Sequence, residues 1–122
     1  MVERRKYPRV KKNLPLKISD DEYDILTETK NISGSGVYCS VNKPIPIMTK
    51  LNMVLLVPLK KNRNKGDVKK INCEGVVVRS EQMRDNGEHP YRVGIYFNDI
   101  KEKDRKALVS YINTAVKAGI RT

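Results

Sequence analysis

Apolar residues in this chain recur at every second position, in short runs broken by polar turns. That period constrains the fold more than any other feature. Leu51, Met53, Leu55 and Val57 place one set of side chains on one face of an extended segment, with Asn52, Val54 and Leu56 on the other. The same alternation runs through Leu14, Leu16 and Ile18, through Val37 to Val41, and through Tyr91, Val93, Ile95 and Phe97. A further run, Ile71, Cys73, Gly75 and Val77, extends to Ser80, and Gly75 within it predicts a bulge or a close backbone approach. Between Glu22 and Lys30 the β-branched content, with Tyr23, Ile25, Thr27 and Thr29 on one face, favours a strand over a helix. Pro15 removes a ladder donor, so the first strand is predicted to present an edge. Turn signals separate the runs at Asp20-Asp21, at Asn31–Gly36, across residues 42–50 with Pro44 and Pro46, in the basic stretch Lys60–Gly66, and at Asp85-Asn86-Gly87.

The period then changes. Ile100, Ala107, Leu108, Tyr111, Ile112, Ala115 and Val116 fall at helical spacing, with Lys101, Lys103, Arg105 and Lys106 turned to water. Asp99 with Glu102 matches a capping box, and Gly119 is the expected stop. Six short strands before one amphipathic helix predict an all-β fold with a C-terminal helix: a six-stranded antiparallel β-barrel with the helix over one opening. Residues 1–122 read as one domain, divided into a basic N-terminal loop (1–12), the barrel (13–98) and the helix (99–118).

A net charge of +11 predicts an anionic partner without identifying it. Cys39 and Cys73 sit in strand-like runs without metal-ligand spacing, which fits buried thiols in a reduced cytosol. The charged N-terminus has no signal-peptide character, and the run Met53–Val57 is too short to span a bilayer, so a soluble cytoplasmic protein is expected. Catalysis is not expected. His89 is the only histidine and lies in a polar hairpin, no phosphate loop or nucleophile elbow occurs, and Asp20, Asp21 and Glu22 read as a solvated turn. No catalytic residue, metal ligand or cofactor is assigned. With no Trp and one Phe, a base-stacking platform for single strands is poorly supported.

Two segments carry more chemistry than a barrel wall requires. In Arg4-Arg5-Lys6-Tyr7-Pro8-Arg9, Pro8 disfavours a helix, leaving a basic loop. Guanidinium forks grip phosphate oxygens bidentately and equally pair with the O6/N7 edge of guanine; a disordered basic tail fits the same residues. In Asn31-Ile-Ser-Gly-Ser-Gly36, small residues leave amides and hydroxyls open to a ligand, or form an ordinary turn.

Together these segments resemble the PilZ domain family, which carries an Arg-x-x-x-Arg motif before its first strand and an Asp/Asn-x-Ser-x-x-Gly motif after its second. Here they are Arg5-Lys-Tyr-Pro-Arg9 and Asn31-Ile-Ser-Gly-Ser-Gly36, in that order. Gly75-Val-Val-Val-Arg79 and Val93-Gly-Ile-Tyr-Phe97, followed by Asp99-Ile100, look like the family's late strands and the start of its helix. The resemblance runs from Arg4 to about Val116 and implies binding of cyclic di-GMP, a bacterial second messenger. By that resemblance Arg5 and Arg9 hold phosphates and guanine edges, Asn31 and Ser33 hydrogen-bond a guanine edge, and Gly36 permits close approach. A long basic residue at Arg4 points to an intercalated pair of ligands; a solvated charge is the other reading. Arg79 is either a further cation or an outward strand residue. The implied role is a receptor and adaptor whose arginine loop orders on ligand binding and signals to an unidentified protein target, with motility, exopolysaccharide and adhesion machinery as the candidates. A nucleic-acid-binding barrel, supported by the charge and the lysines of residues 60–70, is the less favoured alternative.

Overall fold

The computed structural model describes residues 7–59, 67–83 and 89–121. Its strands are β1 (Pro15–Ser19), β2 (Asp24–Ile32), β3 (Gly36–Val41), β4 (Lys50–Pro58), β5 (Val68–Gln82) and β6 (Tyr91–Asp99), followed by the helix α1 (Glu102–Arg121). They close into a barrel in the order β1-β2-β3-β6-β5-β4, with every pair antiparallel. The basic loop expected at Lys60–Gly66 and the Asp85-Asn86-Gly87 turn lie outside the described residues.

Alternation builds the wall as the sequence predicts. Leu51, Met53, Leu55 and Val57 are each at most 1% exposed, and Val93, Ile95 and Phe97 face the same interior from β6. Burying a side chain of this size contributes about 1.5–3 kcal/mol, so the interior row of β4 is a large share of the hydrophobic driving force. From α1, Leu108 and Ile112 join the same cluster. The helix is also fixed electrostatically: Asp104, 6% exposed, pairs with Lys69 of β5 at 3.3 Å.

Four expectations are corrected. Pro15 does not mark an edge, because β1 pairs with both β2 and β4. It stands at the first strand residue, opposite Glu28 of β2, while the β4 pairing begins one residue later at Leu16, so its missing donor disturbs no continuous ladder. Asp99 does not cap the helix, because its backbone is used in β6 opposite Glu74. The cap position falls to Lys101, whose carbonyl accepts from the amides of Asp104 and Arg105 at 3.0 Å each. Gly119 does not stop the helix, which runs to Arg121; no described glycine adopts the positive φ of a left-handed cap. Finally, Asn31 and Ile32 belong to β2, and the turn is confined to Ser33–Ser35.

The connection before β4 contributes more than a linker. Ile45, between two prolines, is fully buried. Thr29 is a buried polar residue whose hydroxyl accepts from the Leu14 amide at 2.9 Å and donates to the Lys12 carbonyl at 2.5 Å. Val10 exchanges two backbone hydrogen bonds with Ile32, both 3.0 Å. The basic segment is therefore tied to β2 from Val10 onward, although few apolar residues are available to hold it.

Candidate functional site

Three register shifts interrupt the ladders; one adds Asn98 near the end of β6, and the other two, on β2 and β5, face one side of the barrel. Residues 25, 27 and 29 of β2 point inward, which would send Asn31 inward too. The register shifts between Thr29 and Asn31, so Lys30 is an extra residue and Asn31 turns to the outer face. In β5 the inward residues Ile71, Gly75 and Val77 would be followed by Arg79. There the extra residue is Val78, because Val77 lies opposite Ile95 and Arg79 opposite Gly94. Bulges re-aim side chains in this way. The result is a single cross-strand row, Asn31–Tyr38–Gly94–Arg79, running over β2, β3, β6 and β5. The neighbouring row, Ile32–Val37–Ile95–Val77, is buried at 5% exposure or less.

A groove of about 290 Å³ lies over this outer row. Arg9, Asn31, Ser33 and Gly36 line it together with, among others, Tyr38, Val78, Arg79, Gly94 and Tyr96. Four of the six residues predicted from the motifs are thus brought together; Arg4 and Arg5 lie outside the described residues. Arg9 is exposed, and neither its guanidinium nor the Asn31 amide has a side-chain hydrogen bond or ion pair among the described residues. Ser33 is more committed. Its hydroxyl accepts from the Ser35 amide at 3.1 Å and lies 3.0 Å from the Ser35 hydroxyl, while its own amide donates to the Gly36 carbonyl. This shapes the turn and leaves Ser33 6% exposed at the groove floor. Gly36 is required by packing, since a Cβ there would lie 2.2 Å from the Ile95 carbonyl oxygen of β6.

The turn is braced from α1. A Cβ on Gly34 would meet the Tyr7 ring at 2.8 Å and Val109 at 2.9 Å, so the bare glycine admits both neighbours. Arg105 is accordingly not a solvated helix residue. Its Nε donates to the Gly34 carbonyl at 3.2 Å, and its guanidinium lies 5.9 Å from the centre of the Tyr7 ring. Tyr7, Arg105 and Val109 also wall a second groove of about 460 Å³ along α1, with Lys106 and Lys117 on it.

At the other end of the first groove, the Arg79 guanidinium lies 5.4 Å from the Tyr38 ring centre and 3.2 Å from Glu81. The Tyr38 hydroxyl donates to the second Glu81 oxygen at 2.7 Å. That hydrogen bond, followed by the Arg79 contacts, holds the Glu81 carboxyl below its ordinary range. Burial, and then the Glu81 contact, raises the Tyr38 phenol. Tyr38 and Arg105 carry no motif signal, and Gly94 appears in the sequence only as part of a late strand; Arg79 carries a signal of another kind, because an arginine at an inward position of an apolar strand predicts that the register changes before it.

Nothing in the described residues resembles a reactive centre. Burial pushes the Cys39 thiol to about 12 and the Cys73 thiol to about 11, the latter helped by Asp104 and Asp99, so neither is a thiolate at neutral pH. His89 is exposed. No group of three His, Cys, Asp or Glu side chains among the described residues could hold a metal ion. Among them, no helix is long and apolar enough to cross a membrane.

Comparison with solved structures gives a likeness in fold to the Bacillus subtilis inhibitor of motility, MotI/DgrA, at 23% identity and a TM-score of 0.78. The match covers 95% of this chain and 53% of that one, so the chain spans about half the length of that protein. No curated protein matches the chain. The family model of the PilZ domain matches residues 3–114, from the basic segment through most of α1. The chain belongs to the PilZ domain family, a family of cyclic di-GMP-binding domains.

Proposed function

We propose that this chain is a receptor for cyclic di-GMP that acts on a protein partner by contact and without catalysis. The observation that supports this reading is the convergence of Arg9, Asn31, Ser33 and Gly36 on one outer groove, where the Arg9 guanidinium and the Asn31 amide have no side-chain partner among the described residues. Arg5 and Arg9 would grip phosphate oxygens and guanine edges through charge-assisted bonds. Asn31 and the Ser33 hydroxyl would read a guanine edge, and Gly36, by keeping β3 close against β6, would permit close approach of the ligand. Arg4 would serve a second ligand molecule, because an intercalated pair brings four phosphate charges together and needs an added cation.

Ligand binding would order the segment ahead of Val10. Tyr7 stands between Arg5 and Arg9 and also walls the α1 groove, so a change at the arginines alters a surface that a partner could read. That partner is a component of motility, exopolysaccharide or adhesion machinery, and the name of the Bacillus subtilis protein of similar fold favours motility.

The test is titration calorimetry with cyclic di-GMP, using cyclic di-AMP and duplex DNA as controls. Saturable binding of cyclic di-GMP alone is the expected result, with about two molecules per chain, falling toward one in Arg4→Leu. Tighter binding of duplex DNA with a steep salt dependence would replace this reading with a nucleic-acid-binding barrel. Hydrogen exchange tests the ordering: Val2–Arg9 gains protection with ligand, while the Val10 amide, already donating to Ile32, is slow in both states. Equal exchange of Val2–Arg9 with and without ligand would contradict the switch.

A further inference from the structure

The motif residues account for one end of the groove, whereas its other end is built by residues that neither motif contains. Arg79 reaches the outer face by the same device as Asn31, one inserted residue in an otherwise alternating strand, and arrives in the same cross-strand row. Between them Gly94 contributes no side chain. A Cβ there would lie 3.2 Å from the Arg79 Cβ and 3.9 Å from the Tyr38 ring. This bare position lets the arginine stem lie across β6 and place its guanidinium over Tyr38.

What holds the guanidinium is also informative. Its Nη2 donates to one oxygen of Glu81, and the other oxygen accepts from Tyr38. A carboxylate on a guanidinium makes the contact that a phosphate would make. The pair is open to solvent, with side-chain exposures of 59% and 38%, so exchanging one anion for another costs little. A single donated bond also leaves the remaining N–H groups of the fork for a second acceptor.

We propose that Arg79 is a further binding residue of the groove, taking a phosphodiester oxygen of the ligand, and that Glu81 is its internal competitor, displaced from the guanidinium when the ligand binds. The proposal rests on the reading of the groove as a cyclic di-GMP site. Arg9 and Arg79 then grip the dinucleotide from opposite ends of the row, and Glu81 sets how much of the Arg79 contact appears as affinity.

The experiment is calorimetry with cyclic di-GMP on the wild type, Arg79→Ala, Glu81→Gln and the double variant. Arg79→Ala is expected to weaken binding about tenfold or more, the scale of a hydrogen bond to a charged group. Glu81→Gln is expected to tighten it about two- to fivefold, the scale of an exposed ion pair. In the Arg79→Ala background the gain from Glu81→Gln should disappear, which a general reduction of negative charge near the ligand would not produce. Unchanged melting temperatures show that these are effects on the site. Wild-type affinity in Arg79→Ala, with Arg9→Ala weakened, would overturn the proposal and leave the cyclic di-GMP reading standing. Weaker binding in Glu81→Gln would overturn the competitor role, and no binding by the wild type would overturn both readings.

Discussion

Along β4 the alternation never breaks: nine residues pair in unshifted register with β5, and every second side chain enters the core. On β2 and β5 it holds only as far as Thr29 and Val77, where Lys30 and Val78 are inserted and the following residues exchange faces. Among the described residues, the β1–β4 and β4–β5 ladders show no register shift. The bulged side is wall up to the insertion and, on the proposed reading of the groove, binding surface beyond it. If the groove binds its ligand as proposed, recognition in this barrel is a local departure from the rule that folds it, added without loss of the interior row. A division of that kind predicts that stability and affinity respond to different substitutions.

The largest effect is expected on the regular side. Leu55→Ala, at a fully buried β4 position, should lose about 2–5 kcal/mol of stability in a denaturant titration, with the folded fraction binding ligand within about twofold of wild type. A parallel loss of affinity in the folded protein would break the division. On the bulged side, Arg9→Ala should do the reverse. It should cost about 1.5–3 kcal/mol of ligand affinity by calorimetry and change stability by less than about 0.5 kcal/mol; Arg5→Ala should match it.

Thr29 and Asn31 sharpen the comparison, because they flank one bulge. Thr29→Val leaves the Leu14 amide and the Lys12 carbonyl without their partner and should cost about 1–3 kcal/mol of stability. Asn31→Ala, two residues later on the opposite face, should leave the melting curve unchanged and cost about 0.5–1.5 kcal/mol of affinity. Equal effects of the two on either measurement would show that the bulge separates nothing.

The wall is legible in the sequence because a period of two survives in each strand on its own. The insertions are harder to see: one added residue changes no composition, and only the inward parity of Asn31 and Arg79 betrays it. The motifs supply Arg9, Asn31, Ser33 and Gly36 but not Arg105 or Tyr38, whose roles depend on contacts far along the chain. Arg105 meets the Gly34 carbonyl across 71 positions of sequence, and helical arithmetic sees only its place on α1. The start of the helix is misjudged because Asp99-x-x-Glu102 satisfies a capping pattern while the backbone of Asp99 is already engaged in β6. Ile45 gives no periodic signal at all, lying in an irregular stretch between prolines.

Closure of the sheet also limits how this module can be recognised. A row of unpaired amides and carbonyls along an outermost strand invites a foreign strand to join it, and many signalling domains take peptides in that way. Here β1 and β4, which would be the two margins of an open sheet, are hydrogen-bonded to each other from Leu16–Leu55 to Ser19–Asn52. Along that stretch the described backbone has no such row to offer. A partner must therefore read side chains, and those change with one codon at a time while the wall beneath them stays as it is.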